Sequence, residues 1–459
     1  MMKLRDKQVL VLGLGETGLS LVRWLTAQGA QVRVADSRTS PPALDLLDRE
    51  YPQVDVHCGT FRNELLDGIE LVAISPGVAL AEPIVVQAVS RHIPIVGDVE
   101  LFAQALPQQG GPKVIAITGS NGKTTVTSMV GAMCRAAGLD TVVAGNISPA
   151  VLDVLLQRAG NQPQVWVLEL SSFQLESLYS FKADAAAVLN VSEDHLDRYQ
   201  NLDAYIAAKD RIFHGGGHGV QVLNRDDAAS MDMALPRRRV VTFGLDLPDT
   251  ADNWGVEREG AEVWLVQGRQ RVMNAAELSV AGLHNVANAL AALALCRAVD
   301  LPLAPLLEAL RGFRGLPHRM EQVALIGDVI YYDDSKGTNV GATVAALQGL
   351  GRRAVLIAGG DGKGQDFSPL KPAVAAHARM VVLIGRDARK IAGALEGSGV
   401  PLQAANDMDE AVRLAASAAL PGDAVLLSPA CASFDMFRNY AHRAEVFVAA
   451  VRGLQREAA

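Results

Sequence analysis

The stretch VIAITGSNGKTT, residues 114–125, decides both the fold class and the chemistry expected of this chain. A short apolar run, typical of a buried strand, leads into a glycine-rich loop, and an apolar helical pattern then runs from Lys123 to Ala137. Such a loop turns backbone N–H groups towards phosphate oxygens, and the helix N-terminus adds its dipole. Lys123 is placed to reach the β- and γ-phosphates of a nucleotide, and Thr124 to bind Mg²⁺. The match to the P-loop pattern GxxxxGKS/T is incomplete, because Ile117 stands where the first glycine would be.

The bulk composition indicates a globular protein of several domains. At 459 residues the chain is too long for one ordinary core, and about two to four domains are expected. Hydrophobic residues make up 49% and charged residues 20%, which argues against a disordered chain. The net charge of −8 argues against a broad surface for nucleic acid or anionic lipid. The four cysteines lie far apart and no apolar stretch reaches spanning length, so a cytoplasmic protein without membrane insertion is expected.

Strand-like runs alternate with amphipathic helices along the chain, a rhythm that predicts parallel α/β sheets. The first unit begins at VLVLGLGETGLS, residues 9–20, where three glycines have the spacing of a dinucleotide-binding fingerprint. They are Gly13, Gly15 and Gly18, and Asp36 ends the next strand. Taken alone, this fingerprint indicates a nicotinamide-dependent oxidoreductase.

Two further α/β units follow, so three domains are predicted. The second unit starts at the glycine-rich loop and includes a long helix that begins near His284, and the third starts after FRGLPHR. The predicted fold class is α/β. It comprises a Rossmann-like domain over residues 1–97, a central P-loop ATPase-like domain over 98–315 and a C-terminal Rossmann-like domain over 316–459. The polar, glycine- and proline-rich segment 106–113 is expected to be a surface connection.

Polar side chains follow the ends of several predicted strands, where ligands bind in open α/β sheets. Glu169 closes the run QVWVLE and can hold Mg²⁺, and Asp194 and His195 follow the next strand. Lys209 lies on a predicted helix, where its sequence surroundings indicate a solvated face. In the third unit, three isolated basic residues beside strand ends, Arg319, Lys336 and Lys363, suit a phosphate or an acidic substrate. The same motifs contain Asp334, Thr338 and Asp361, and the last strand ends in small residues, including Ser428 and Ser433, that can approach a ligand closely.

Eight motifs occur in an order that resembles one known family. They are TGSNGKTT, LELSSFQLE, NVSEDHLDRY, AGLHNVANALAA, GLPHRME, DDSKGTN, GGDGKGQDFSPL and LLSPACASFD. Together they resemble the Mur ligases of peptidoglycan synthesis across the whole chain, and among these the members that add glutamate. The resemblance implies an ATP-driven amide ligase in three domains. ATP would phosphorylate the terminal carboxylate of UDP-N-acetylmuramoyl-L-alanine, and the amine of D-glutamate would attack the acyl phosphate.

The resemblance also implies roles for individual residues, with Lys123, His195 and Lys209 as the catalytic group. The ATP-contacting positions are Gly119, Ser120, Asn121, Gly122, Lys123, Thr124, Thr125, Arg319 and Asp334. One Mg²⁺ is expected at Thr124 and Glu169, and a second at His195 and Lys209, the lysine being carbamylated to N6-carboxylysine. The UDP-substrate positions are Glu16, Thr17, Asp36, Ser37, Arg38, Ser75, Gly77 and Asn146. The glutamate positions are Lys336, Thr338, Lys363, Ser433 and Tyr440.

Several alternatives stay open at this point. An oxidoreductase explains only the N-terminal fingerprint, and a non-catalytic P-loop module leaves the acidic, histidine and basic clusters without a role. Folylpolyglutamate synthase shares the ligase core but lacks a leading uridine-binding domain. Other Mur ligases, and the same ligation with L-glutamate, differ only in specificity. For the ligase, the expected partners are small molecules, and the protein is expected to be a monomer that binds no nucleic acid.

Overall fold

The computed structural model describes residues 3–107, 110–195, 197–280 and 282–457. Within these residues the chain forms three β-sheets, of five, nine and six strands. Successive residues of a strand point to opposite faces of its sheet, and they pack into separate apolar clusters. Val9 lies in one cluster and Leu10 in another, and the strands of the other two sheets are divided in the same way. Both faces of each sheet are therefore covered, as is typical of α/β proteins. The predicted fold class of three α/β units is confirmed.

The N-terminal part of the chain forms a parallel sheet with helices packed on it. The strands are β1 (Gln8–Leu12), β2 (Gln31–Asp36), β3 (Asp55–Cys58), β4 (Leu71–Ile74) and β5 (Ile95–Val96). The helices are α1 (Glu16–Ala27), α2 (Leu44–Glu50), α3 (Pro83–Ser90) and α4 (Asp98–Ala105), with a 3₁₀ helix at Asn63–Leu66. The strand order is β3-β2-β1-β4-β5, and all neighbours are parallel. The carboxyl ends of the strands therefore lie at one edge.

The central part contains the nine-stranded sheet. Its strands are β6 (Lys113–Thr118), β7 (Thr141–Gly145), β8 (Val165–Glu169), β9 (Ala185–Val188), β10 (Val220–Asn224), β11 (Val240–Phe243), β12 (Trp254–Glu259), β13 (Glu262–Gln267) and β14 (Gln270–Asn274). Its helices are α5 (Lys123–Ala136), α6 (Val151–Gln157), α7 (Ser172–Glu176), α8 (Leu202–Asp210), α9 (Ala228–Asp232), α10 (Leu283–Ala298) and α11 (Leu303–Gly312), with 3₁₀ helices at Arg211–Phe213 and Ala275–Glu277. The order is β14-β13-β12-β11-β10-β9-β6-β8-β7.

Two predicted helices of the central part are confirmed, since α5 begins at Lys123 and α10 begins one residue before His284. The antiparallel extension β12–β14 has no counterpart in the sequence prediction. The expected surface connection 106–113 joins α4 to β6, and its residues 108–109 lie outside the described residues.

The C-terminal part forms a six-stranded sheet. Its strands are β15 (Glu321–Ile326), β16 (Val329–Asp333), β17 (Ala354–Gly359), β18 (Ala378–Ile384), β19 (Leu402–Ala404) and β20 (Ala424–Leu427). Its helices are α12 (Val340–Gly349), α13 (Leu370–His377), α14 (Ala388–Ala394), α15 (Met408–Ala418) and α16 (Tyr440–Glu457). The order is β15-β16-β20-β17-β18-β19, parallel except for the hairpin of β15 and β16.

Glycine is required at two of the strand–helix turns predicted to bind phosphate. Gly122 has a φ of +82°, and a Cβ there would lie 2.5 Å from Asn288 Oδ1. A Cβ on Gly18 would lie 1.9 Å from the Gly13 carbonyl oxygen, so only glycine lets α1 approach the end of β1 this closely. The N-terminal fingerprint thus has the backbone geometry that its spacing predicts.

Side chains fasten both outer sheets to the central part. Towards the N-terminal sheet, Arg198 donates to the Pro76 carbonyl oxygen at 2.8 Å, and Arg23 pairs with Asp153 at 3.1 Å. These contacts place the carboxyl edge of the N-terminal sheet beside that of the central sheet. No described helix combines the length and apolar character that crossing a bilayer requires.

Contacts between the central and C-terminal parts run through the glycine-rich loop and the segment after β9. Arg319 Nη2 donates to Thr124 Oγ1 at 3.0 Å, and Lys363 Nζ lies 3.3 Å from Asp194 Oδ1. Asn339 donates its amide N–H to Asn121 Oδ1 at 3.0 Å. The C-terminal sheet is therefore held directly against the residues predicted to contact a nucleotide.

Candidate active site

A cavity of about 830 Å³ lies where the central and C-terminal parts meet. It is bounded by the glycine-rich loop, the ends of β8 and β9, α8 and the loops of the C-terminal sheet. The predicted site residues that line it are Ser120, Asn121, Gly122, Lys123, Thr124, Asn146, Glu169, His195, Lys209, Arg319, Lys336, Thr338, Lys363 and Tyr440. The structure thus brings together residues separated by more than 300 positions in the sequence.

Two lysines converge on one carbonyl oxygen at the base of this cavity. Lys123 Nζ donates to the Gly119 oxygen at 2.8 Å and Lys209 Nζ donates to the same oxygen at 2.9 Å. Lys209 is 1% exposed, which corrects the expectation of a solvated helix face. Burial, reinforced by the charge of Lys123, lowers the pKa of Lys209 well below its ordinary value. The neutral, nucleophilic form of its amine is therefore easier to reach than in an exposed lysine.

Glu169 and His195 present groups suited to a metal ion. Glu169 Oε1 accepts from Asn146 Nδ2 at 2.9 Å, whereas the buried Oε2 has no hydrogen-bond partner among the described residues. Burial lowers the pKa of His195 to about 4, so its imidazole is neutral at pH 7. An unpaired, buried carboxylate oxygen is costly unless a cation binds it. The donor set therefore fits Mg²⁺, with Glu169 as its strongest ligand.

A second cavity, of about 330 Å³, adjoins the glycine-rich loop on the side of α10 and α12. The predicted residues lining it are Asn121, Gly122, Thr125, Arg319, Asp334 and Lys336. Asp334 is buried, which raises its pKa to about 7 although Ser428 Oγ donates to it at 2.7 Å. The cavity thus lies directly beside the loop that the sequence predicts to bind phosphate.

Sequence reasoning missed the polar lining of this second cavity. It includes His284, Asn285 and Asn288, and Asn288 Nδ2 donates to Asn285 Oδ1 at 3.2 Å. The signal was present in AGLHNVANALAA, where three polar residues open a helix that is otherwise apolar. Asp194, which binds Lys363, and His318, which lines the first cavity, were also given no ligand role.

A third cavity, of about 170 Å³, lies between the N-terminal and central sheets. The predicted UDP-substrate residues that line it are Glu16, Thr17, Ser75, Gly77 and Asn146. Ser148 Oγ donates to Glu16 Oε1 at 2.7 Å and so joins the central part to the N-terminal part at this cavity. Asn146 lines both this cavity and the first one, so the two spaces meet at that residue.

Three predicted UDP-substrate residues, Asp36, Ser37 and Arg38, do not line any of these cavities and lie together at the end of β2. Burial alone would raise the pKa of Asp36, but hydrogen bonds from Arg38 and from the Leu14 N–H hold it below its ordinary value. The Asp36 carboxylate is thus tied to the fingerprint loop rather than left unpaired.

Of the five residues predicted to bind glutamate, four line the first cavity and one, Ser433, does not. Lys336 Nζ lies 3.6 Å from the centre of the Tyr440 ring, and burial lowers its pKa to about 8. The ring face stabilises the ammonium there. Ser433 is buried and lines none of the three cavities. Gly119 does not line them either, but its carbonyl oxygen holds both lysines.

A buried arginine on α16 joins two of the loops that carry residues predicted to bind glutamate. Arg443 is 0% exposed and donates to Ser335 Oγ at 3.0 Å, to the Ser335 carbonyl oxygen at 2.8 Å and to the Cys431 carbonyl oxygen at 3.0 Å. Burial lowers its pKa to about 10, so it remains charged at pH 7. Ser335 precedes Lys336, and Cys431 lies two residues before Ser433. One guanidinium therefore sets the spacing of both loops.

Arg443→Met is expected to lower the free energy of unfolding by about 3 kcal/mol, because two buried carbonyl groups lose their donors. For glutamate, the ligand that the sequence predicts at these loops, KM is expected to rise about tenfold, equivalent to about 1.4 kcal/mol, while KM for the predicted nucleotide changes little. Arg452→Met, on an exposed position of the same helix, is the matched control. A lower melting temperature with an unchanged KM for glutamate would show that Arg443 only stabilises the domain.

Comparisons with known proteins match the chain in three consecutive parts. Residues 7–97 match the Mur ligase MurD-like N-terminal domain, residues 117–296 the Mur ligase middle domain, and residues 318–431 the Mur ligase glutamate ligase domain. Among curated proteins, UDP-N-acetylmuramoylalanine--D-glutamate ligase of Nitrosospira multiformis is 60% identical over 99% of this chain and 97% of its own. The protein of the same name from Methylobacillus flagellatus is 58% identical over 100% and 99%.

Solved structures agree with this at the level of the fold. UDP-N-acetylmuramate-alanine ligase MurC from Thermotoga maritima has a TM-score of 0.60 at 21% identity, covering 97% of this chain and 99% of its own. A pseudomurein peptide ligase type C from Methanothermus fervidus has a TM-score of 0.58 at 19% identity, covering 92% and 96%. The three-sheet architecture is therefore shared with ligases that are distant in sequence.

Proposed function

The chain belongs to the Mur ligase family, and on that premise we propose that it joins D-glutamate to UDP-N-acetylmuramoyl-L-alanine in an ATP- and Mg²⁺-dependent step of peptidoglycan precursor synthesis. Curated relatives that bear this activity in their names are 53–60% identical over nearly the whole chain. The observation that carries the proposal is the first cavity. There Lys123 and Glu169 from the central part meet Lys336 and Lys363 from the C-terminal part.

The arrangement suits the activation of a carboxylate followed by attack of an amine. A carboxylate is a poor electrophile, and phosphorylation by ATP gives it a good leaving group. Lys123 neutralises charge on the transferred phosphoryl group, while Arg319 reaches the same loop from the C-terminal sheet. When bound, Mg²⁺ would supply further charge neutralisation on the phosphates. Loops of the C-terminal sheet form one wall of the cavity, where they would face the acyl phosphate.

The residue roles follow the same division of the molecule. The glycine-rich loop, Gly119 to Thr125, holds the phosphates of ATP, and Arg319 and Asp334 make further contacts to the nucleotide. Thr124 and Glu169 hold one Mg²⁺, and His195 with a carbamylated Lys209 holds a second. Glutamate is bound by Lys336, Thr338, Lys363, Ser433 and Tyr440.

The UDP end of the substrate is bound by residues 1–97, through Glu16, Thr17, Asp36, Ser37, Arg38, Ser75 and Gly77. Asn146 contacts the substrate where the first and third cavities meet. Residues 98–315 bind ATP, and residues 316–459 bind glutamate.

We further propose that the protein acts as a monomer in the cytoplasm. The residues proposed to bind ATP, the UDP-substrate and glutamate are all supplied by this one chain, which supports a site that needs no second copy. The cysteines Cys58, Cys134, Cys296 and Cys431 are all free thiols, which supports a reducing compartment.

Release of phosphate is expected only when ATP, Mg²⁺, UDP-N-acetylmuramoyl-L-alanine and glutamate are all present. The measurement is phosphate release with each component left out in turn, and with D- and L-glutamate supplied separately. D-Glutamate is expected to be the substrate. Activity with L-glutamate and none with D-glutamate would show instead that the enzyme ligates the L-isomer. Phosphate release that does not depend on glutamate, or an absorbance change of added NADH, would overturn the ligase proposal.

A further inference from the structure

We propose that His318, oriented by Asp333, is the base that removes a proton from the amino group of the incoming glutamate. The inference rests on the proposed function, because it assigns a step of that reaction to a residue without a role so far. Its basis is the position of an Asp–His pair at the wall of the first cavity, next to the residues proposed to bind glutamate.

The reaction needs such a base. The α-amino group of a free amino acid is more basic than that of a peptide N-terminus, so glutamate arrives at pH 7 as an ammonium without a lone pair. The amine cannot attack the acyl phosphate until one proton has been removed. Histidine is the side chain that most often performs this task near neutral pH.

The hydrogen bonds of the pair fix the ring in the required form. His318 Nδ1 lies 2.7 Å from Asp333 Oδ2, and Asp333 Oδ1 accepts the Ser335 N–H at 2.9 Å. The Asp333 side chain is 1% exposed and that of His318 is 27% exposed, so the carboxylate is held inside and the ring reaches the cavity. With Nδ1–H donated to the carboxylate, the neutral ring carries its lone pair on Nε2. Within the described part of the chain, Nε2 has no hydrogen-bond partner.

The backbone holds His318 in place from the other side. Its φ is +61°, and its N–H donates to Glu321 Oε2 at 2.9 Å. The Lys336 N–H donates to the His318 carbonyl oxygen at 3.1 Å, which joins this residue to the loop of the glutamate pocket. The Tyr440 ring centre lies 6.2 Å from that of His318. The ionisable residues that contact the His318 ring or its backbone include Asp333, Glu321, Lys336 and Tyr440.

Two other bases in the cavity fit the role less well. Burial lowers the pKa of Lys336 to about 8, so at pH 7 it is still mostly an ammonium over the Tyr440 ring, which suits it to the carboxylates of glutamate. Burial lowers the pKa of His195 to about 4, which makes it a weak proton acceptor, and it faces Asp194 at 3.7 Å. His318 alone among the three combines a buried carboxylate partner with an open nitrogen.

The step balances in protons and electrons. His318 Nε2 takes one proton from the ammonium, and the imidazolium is stabilised by Asp333. The freed lone pair on nitrogen forms the bond to the acyl carbon. The carbon–oxygen bond to phosphate then breaks, the phosphate leaves with that electron pair, and it takes the second nitrogen proton. The imidazolium finally returns its proton to solvent.

Hydroxylamine separates this step from the formation of the acyl phosphate, because it is a neutral amine at pH 7 and needs no base before it attacks. The test variant is His318→Asn, since asparagine tolerates the left-handed backbone. We expect ligation of glutamate at pH 7 to fall about 100- to 10,000-fold. Hydroxamate formation from ATP, UDP-N-acetylmuramoyl-L-alanine and hydroxylamine is expected to stay near that of the unchanged enzyme. Glutamate ligation by the variant is expected to recover as the pH is raised.

Asp333→Asn is expected to give a smaller loss of the same kind, because the ring is still held but its imidazolium is less stabilised. The matched control is His57→Asn, which removes an exposed histidine paired with Asp55 at 3.0 Å and outside the cavities, and full activity is expected. An equal loss of hydroxamate and glutamate products in His318→Asn, or no loss of either, would overturn the proposal. Absence of hydroxamate from the unchanged enzyme would instead refute the proposed function.

Discussion

Lys209→Ala is expected to lower phosphate release about 100- to 1,000-fold, and to recover part of it when formate or acetate is added. The reason is the state of the amine in this structure. Lys209 is buried, its pKa is lowered by burial and by Lys123, and its Nζ donates only to the Gly119 carbonyl oxygen among the contacts described. A neutral amine can add to CO₂ and lose one proton, which gives a carbamate with two oxygen donors. A small carboxylate in the space left by alanine supplies the same oxygen chemistry.

The measurement is phosphate release by the variant at rising carboxylate concentration, compared with the unchanged enzyme in CO₂-depleted buffer. Lys390→Ala, which removes a solvent-exposed lysine on α14, is the control and is expected to respond to neither treatment. A variant that folds normally and gains nothing from any short carboxylate would refute the carbamate. The loss of the Gly119 hydrogen bond would then account for the defect.

Glu169→Gln is expected to reduce phosphate release by about 100-fold or more and to shift the Mg²⁺ requirement to higher concentration. Glu169 Oε1 is already occupied by Asn146, so the unpartnered Oε2 is the atom available to a cation. Glutamine keeps the shape of the side chain but removes its charge. Titration of Mg²⁺ at saturating ATP measures the shift directly.

Glu100→Gln is the matched control. It removes the charge of a carboxylate that is as buried as that of Glu169 but lies outside the three cavities. Glu100 accepts from the Tyr179 and Ser180 N–H groups and from Ser180 Oγ, so its loss is expected to lower thermal stability without changing the Mg²⁺ requirement. The metal role of Glu169 is contradicted if Glu169→Gln keeps the Mg²⁺ dependence of the unchanged enzyme.

The outline of the fold and the site was accessible from sequence because both depend on local patterns. Each apolar run followed by a polar residue placed that residue at the carboxyl edge of a parallel sheet, as Glu169 and His195 show. The glycine-rich loop needs little more than its own glycines to form. Three-domain organisation followed from the repeated strand–helix rhythm.

What could not be predicted depends on contacts between distant segments. Lys209 was expected on a solvated face, because nothing in LDAYIAAKDR shows that α8 packs under the glycine-rich loop. The hairpin strands β12–β14 were missed, because their short alternating runs differ from the strand–helix rhythm around them. Arg443 stands in an ordinary polar helical pattern, and only the folded chain shows that its guanidinium is buried between two loops.

The hydrogen bonds between the central and C-terminal parts are made by side chains that also belong to the proposed site. Thr124 is engaged by Arg319, and Asp194 by Lys363. A ligand that takes the Nη2 donor of Arg319 from Thr124, or that displaces Asp194 from Lys363, exchanges one set of hydrogen bonds for another. The free energy of binding such a ligand then includes the difference between the hydrogen bonds that the ligand makes and those that it replaces within the protein.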